Sequence, residues 1–173
     1  ITGLKTTVGR ISRAGVFALS QTLDSVGPLA RSVEDCALAY TAMQGADAEA
    51  DPTTVGQQPH DVQSGLRAGV KPLRLAFAET LFWDDVDPEV AAAVRETAAV
   101  FKSLGAKVDS VPFAVAGRLP KDVLRAKAIA AEAYSNVREL IEQHEAELDH
   151  VVAPRLKLGN SLPAPDYVDV RKG

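Results

Sequence analysis

Arg10, Arg13 and Asp24 stand in a stretch punctuated by glycine every few residues, from Gly3 to Gly27. Charged side chains on a tightly turned backbone can grip or orient a ligand, because loops on a rigid scaffold often carry function. The same residues would serve to brace turns, each arginine pairing with a carboxylate, and both uses stay open. The other reactive side chains are scattered. His144 and His150 are spaced so that they do not share a helical face, and His60 is remote from both. Cys36 falls on an apolar helical stripe with no histidine nearby in sequence, which suits a small buried hydrophobe better than a nucleophile. Asp84-Asp85 is a candidate cation pair but reads more simply as a solvated turn before a helix. Glu142, Glu145 and Glu147, with Asp149 beyond them, read as a solvated helix face.

Several chemistries lack their signatures. The chain has no Gly-x-Ser-x-Gly elbow, no phosphate-cradling Gly-x-x-x-x-Gly-Lys-Ser/Thr and no His-Glu-x-x-His. A single cysteine excludes an intrachain disulfide and a cysteine zinc site. No metal and no cofactor is expected. The net charge of −4 and the absence of a basic stripe argue against nucleic acid as a partner. No apolar run approaches the roughly 18 residues of a membrane span, so no membrane partner is expected either. The lone cysteine suits a cytoplasmic setting. Ile1 is not a start methionine and the only methionine is Met43, so the sequence is expected to be part of a longer product.

Around these residues the elements follow from periodicity and punctuation. Leu4–Val8 and Val16–Leu19 read as short extended segments between glycine turns. Ser32 with Asp35 three residues on makes a capping-box variant, and Val33, Cys36, Ala37 and Tyr40 share one face, so a helix is expected over about 33–44. Residues 46–72 lose all pattern and read as a long connection, with one helical turn at Val62–Leu66. Leu73–Phe77 reads as a strand. Asp87 caps a helix with Pro88 at its first position and Val90, Val94, Phe101 and Leu104 as its stripe, and Gly105 ends it. A strand follows at Lys107–Val111, which makes a βαβ unit with parallel strands. A long helix is expected from near Lys121 to about Leu148, with Ile129, Ala133, Val137, Leu140, Ile141 and Leu148 inward. The last stretch, 152–173, holds three prolines and stops in mid-pattern.

Two segments carry a family resemblance. Gly3-Leu4-Lys5-Thr6-Thr7-Val8-Gly9-Arg10-Ile11-Ser12 is similar to the Gly-Leu-Lys-Pro-Thr-x-Gly-Arg-(Val/Ile)-Ser run of amidase-signature hydrolases. Ser20-Gln21-Thr22-Leu23-Asp24-Ser25-Val26-Gly27-Pro28-Leu29-Ala30-Arg31-Ser32-Val33-Glu34-Asp35 is similar to the run that follows it. Thr6 stands in place of the usual proline, and Thr22 where serine is commoner. Arg155-Leu156 with Gly159, then Ala164-Pro165-Asp166-Tyr167, resembles a later family segment more weakly.

The resemblance implies an α/β fold: part of a mixed β-sheet flanked by helices, incomplete at both ends. It makes 1–173 one partial amidase domain, with a core-like segment at 1–45, the connection at 46–72 and a variable half at 73–173. It implies hydrolysis of a small-molecule carboxylic amide to an acid plus ammonia or an amine, through a serine acyl-enzyme. The serine nucleophile, a second serine in a cis peptide and a lysine would lie ahead of Ile1, so no catalytic residue is assigned here and Lys5 is not the catalytic lysine. The parent would be an enzyme and this chain alone inactive. Ala18, Thr22 and Asp24 are the expected substrate-binding residues, with loop bracing as the other role for Asp24. A piece of a glutamine-dependent aminoacyl-tRNA amidotransferase A subunit, or a catalytically empty interaction module, are the alternatives. Leu4, Val8, Val16 and Phe17 would lack partners, so the chain is expected to self-associate or to keep its missing N-terminal part as a partner.

Overall fold

The computed structural model describes residues 1–118 and 123–172. They form two compact units, and each has its own logic. The first gathers 1–63 with the described residues from Val123 onward, and the second holds the described residues from Ser64 to Arg118.

In the first unit, strands β1 (Thr2–Gly3) and β2 (Leu29–Ala30) pair antiparallel. Helix α1 (Val33–Met43) follows, with Ser32 Oγ accepting the Asp35 N–H at 3.1 Å. Such a cap satisfies one of the orphan donors at the helix start and contributes about 1 kcal/mol. Cys36, Ala37 and Tyr40 are its buried face, as the i, i+3, i+4 spacing requires, and Ile11 is buried nearby in the same unit. The expected extended segments at 4–8 and 16–19 are not strands. The ladder there is the two-residue β1–β2 pair, with one isolated antiparallel bridge from Ile11 to Gln44, and the intervening chain is turns closed by backbone bonds such as Arg10 N to Thr7 O and Val16 N to Arg13 O. The helical turn at 62–66 is found slightly later, as a run of turns at 64–67, and a separate 3₁₀ turn forms at Pro52–Thr54.

Helix α3 is described over Val123–His144, so its expected start near Lys121 lies outside the described residues, and 3₁₀ geometry takes over at Glu145–Glu147. Its inward face is rotated from the expected stripe. Ala128, Glu132, Ala133 and Ile141 are buried, whereas Ile129 and Leu140 are exposed. Small side chains on that face let other backbone come close. The 3₁₀ turn at Leu158–Ser161 packs so tightly on α3 that a Cβ on Gly159 would sit 2.1 Å from the Ala130 carbonyl oxygen, which only glycine permits. The tail, to which the sequence reading assigns no element, is helical: α4 (Val152–Lys157) and α5 (Ala164–Lys172) both lie against α3. Pro154 and Pro165 fall in first turns, where a missing N–H costs nothing, so the prolines punctuate helices without ending them.

The second unit is the expected βαβ. Strands β3 (Arg74–Ala78) and β4 (Lys107–Val111) pair in parallel, from Arg74 opposite Lys107 to Ala78 opposite Val111. Helix α2 (Pro88–Ser103) crosses between them, with Asp87 Oδ1 accepting from Glu89 and Val90. Gly105, at φ 92°, closes the helix in the left-handed region that favours glycine. Val90, Val94 and Leu104 remain exposed, and α2 buries no residue fully. Trp83 donates its Nε1 hydrogen to Ala78 O at 2.9 Å and meets Phe77 edge-on. Arg95 lies 3.9 Å above the Trp83 ring and forks onto Glu79 through two bonds of 3.0 and 2.7 Å.

Among the described residues no helix is long and apolar enough to cross a membrane.

Candidate functional site

The glycine-punctuated segment folds into a polar loop at 18–24. Ser20 O accepts the N–H groups of Leu23 and Asp24, at 3.4 and 3.0 Å. Asp24 Oδ2 accepts those of Leu19 and Ser20, at 2.8 and 2.9 Å. The two ends of the loop thereby satisfy each other, as an Asp in a tight turn commonly does. Bracing by Asp24 is therefore real. Yet both bonds fall on Oδ2, which leaves Oδ1 without a hydrogen bond among the described residues, while the Arg13 guanidinium is close enough to feel the Asp24 charge.

A second carboxylate reaches the loop from α3. Glu132, 8% exposed, accepts four hydrogen bonds from neutral donors. Oε2 takes Ser20 Oγ at 2.7 Å and Thr22 N at 3.0 Å, and Oε1 takes Thr22 Oγ1 at 2.6 Å and the Tyr167 hydroxyl of α5 at 2.7 Å. Burial pushes the Glu132 carboxyl up, but the bonds from Thr22, Ser20 and Tyr167 outweigh it and hold the group at about 2. The same bond raises the Tyr167 hydroxyl above its ordinary value. One turn along α3, Asn136 Nδ2 donates to Ala18 O at 3.0 Å and Leu19 O at 3.3 Å, and its Oδ1 accepts from Gln21 Nε2.

On the other side of the loop, Arg13 binds the buried Asp51 through Nε at 3.1 Å and Nη2 at 3.3 Å, and its third donor reaches Gln21 O at 2.5 Å. The Arg13 guanidinium, with Thr53 behind it, holds the Asp51 carboxyl far below the usual range, and Arg13 itself is raised by that bond. Arg13 is thus a brace, with every donor group committed. Arg10 donates to Gln58 O at 3.2 Å.

These contacts border a cavity of about 250 Å³ lined by Arg13, Val16, Ala18, Ser20 and Asp24, among others. Of the three expected binding residues, Ala18 and Asp24 share this cavity. Thr22 lies on the opposite side of the loop, in a groove of about 450 Å³ with Glu132 and Tyr167. What the arrangement offers chemically is a shaped wall with one unengaged carboxylate oxygen. It does not offer a nucleophile with a base. Lys5 Nζ does approach Ser25 Oγ at 3.4 Å, but it donates both there and to Thr6 O, so it takes no proton from the serine. Among the described residues no cluster of three His, Cys, Asp or Glu is placed for a metal.

Glu132, Asn136 and Tyr167 escape the sequence reading because their partners lie up to 118 residues away. One signal was available. Glu132 sits amid alanines at 128, 130, 131 and 133, and a lone acid on so small-sided a helix calls for buried donors.

The family model described as Amidase matches residues 1–167. An amidase of Pseudomonas putida is 38% identical over 98% of this chain, which spans 36% of that protein. The glutamyl-tRNA(Gln) amidotransferase A subunit of Ligilactobacillus salivarius is 42% identical over 64% of this chain, which spans 23% of it. A solved structure of a vestigial protein complex, described as revealing the evolutionary origins of an s-triazine catabolic enzyme, superposes with a TM-score of 0.78. It is 31% identical and the match covers 98% of this chain and 36% of that one. The chain therefore spans about a quarter to a third of the length of its relatives. With the two glycine-rich runs, the α/β elements and a match over nearly every residue in agreement, the chain belongs to the amidase-signature family.

Proposed function

We propose that this chain supplies scaffold and part of the substrate wall to an enzyme that hydrolyses a small-molecule carboxylic amide to an acid plus ammonia or an amine. The observation that carries the reading is the cavity beside 18–24, where Ala18 gives a small apolar surface and Asp24 an unengaged Oδ1. A carboxylate oxygen is the acceptor that an amide N–H or a departing amine requires. Thr22, whose hydroxyl is committed to Glu132, acts by shaping the loop. The serine nucleophile, second serine and lysine of the family mechanism have no counterpart set among the described residues, so the 173-residue chain by itself is expected to release no ammonia from any amide. A cytoplasmic setting goes with this reading and suits the single, unpaired cysteine.

A second reading, as the A subunit of a glutamine-dependent amidotransferase, draws on the 42% identity to such a protein. That match covers 64% of this chain, whereas the amidase match covers 98% of it, and the wider match is what favours the stand-alone hydrolase.

The test is ammonia release by the protein at the full length its gene encodes, over aliphatic, aromatic and peptide amides and glutamine. Turnover of a simple amide, with a raised KM in Asp24→Ala, supports the reading. Release from glutamine alone would transfer the chain to the amidotransferase class, and a folded protein that hydrolyses no amide overturns amide hydrolysis altogether.

A further inference from the structure

We infer that helix α3 sets the shape of the substrate wall, and that Glu132 and Asn136 are positioning residues through which the enzyme selects its amide; the selection claim rests on the function proposed above. Each of the consecutive residues Ala18, Leu19, Ser20, Gln21 and Thr22 is held by one of these two side chains. The pair is spaced i, i+4, so both project from one face of α3 onto a single stretch of loop.

This hold adds to the loop's own turn bonds through Asp24 and to the Arg13 bond on Gln21 O, and it is the one that ties the loop to a helix. Loops are usually fixed by tucking an apolar side chain into the core, but here Phe17 is 75% exposed, Leu19 52% and Leu23 56%. Buried Ser20, the only buried residue of 18–24, is anchored by its hydroxyl on Glu132. Within this chain the loop conformation is therefore specified mainly by hydrogen bonds. Those bonds are directional, so a change at residue 132 or 136 re-aims the backbone that carries Ala18 and Asp24.

Glu132 is also matched to its donors in number. Four donors meet two oxygens with two bonds each, the full capacity of a carboxylate. Glutamine at this position keeps the volume but removes the charge that strengthens all four bonds, and its NH₂ can meet the Thr22 and Tyr167 hydroxyls only if both turn round to accept. Tyr167 ties the clamp to α5, so three separate parts of the chain meet at this one side chain.

The experiment uses the full-length protein carrying Glu132→Gln, with Tyr167→Phe as a milder companion that removes only one of the four bonds. Hydrogen exchange at the amides of residues 19–24 is expected to accelerate by about tenfold or more in Glu132→Gln and by less in Tyr167→Phe, because local opening is what the clamp prevents. In the same proteins KM for the preferred amide is expected to rise about tenfold with kcat within roughly threefold, and the preference between small and bulky acyl groups to flatten. Should Glu132→Gln fail to fold, Asn136→Ala joins Tyr167→Phe and the same two readouts decide. Unchanged exchange at 19–24 overturns the inference, and so does a fall in kcat with KM and acyl preference intact. Faster exchange in a protein that turns over no amide overturns the amide reading and the selection claim with it, while the grip of α3 on the loop stands on its own measurement.

Discussion

Glu132 in the first unit and Glu79 in the second are both carboxylates held at about 2 by hydrogen bonds, and they are built in opposite ways. Glu79 is partly exposed and answers a cation, the Arg95 guanidinium, which stacks on Trp83 while it forks onto the acid. Glu132 is buried and is bonded to no cation among the described residues; neutral hydroxyls and one backbone N–H satisfy it. The first arrangement decorates a βαβ unit that its hydrogen-bonded ladder and helix already define. The second ties a loop to a helix and a further helix to both, with little apolar packing of that loop inside this chain. Similar acidity thus conceals unequal dependence of the fold on the group.

The sharpest way to break the comparison is to delete each acid. Glu132→Leu removes the acceptor for four donors at once and is expected to lower unfolding free energy by roughly 3 kcal/mol or more, read by urea denaturation, since buried donors left unpaired cost about 1–3 kcal/mol each. A loss under about 1 kcal/mol would mean that the loop has another support. Acid titration separates the regions next. Glu132 and Asp51 both have folded values below their unfolded ones, so their contribution is complete above about pH 4.5 and drains away as pH falls towards 2. Near-neutral stability of the first unit should therefore decline through that window, and a Glu132→Gln protein should show a flatter profile there. Smaller again is Asp87→Ala, which uncaps α2 and should cost about 1 kcal/mol without moving the 18–24 amides in exchange. Least of all is Glu79→Gln, whose effect on the thermal midpoint should be small and should vanish in high salt, because exposed ion pairs are screened. A Glu79 effect as large as that of Glu132 would dissolve the contrast.

How far the residues announce this structure divides along the same line. The second unit is legible because its signals are local. Asp87-Pro88 starts a helix, Gly105 ends it, and the flanking strands announce themselves within five residues each. Helix α1 is legible for the same reason, through Ser32 and the Cys36, Ala37, Tyr40 spacing. The segments at 4–8 and 16–19 mislead, because apolar residues between glycines look like strands wherever no partner strand is specified. The tail announces no element beforehand, because its prolines give no period, yet Pro154 and Pro165 occupy first turns of helices. Within the candidate site, Thr22 and Asp24 lie in a run that carries the family resemblance and Ala18 just ahead of it, whereas Glu132 lies in no such run. The periodicity of α3 points to Ile129 and Leu140 as inward, yet the helix turns an acid and small residues inward instead, since loop donors from 110 residues away supply the partners. Long-range polar matching leaves almost no trace in local sequence. The expected want of partners at the N-terminal segment does have a structural counterpart, for Leu4, Val16 and Phe17 are exposed, while Val8 is half-buried.

Cys36 gives the molecule a clock. It is the sole thiol, 3% exposed, with its sulfur 3.5 Å from Thr2 O and 3.8 Å from Pro28 O, beneath the strand pair and on the inner face of α1. A thiol reagent reaches it when α1 parts from β1 and β2, so the rate of labelling reports the open population where reclosing is fast and the opening rate itself where labelling is faster. No engineered probe is needed, and each reacted molecule carries a permanent mass tag that records that its amino-terminal layer has come apart.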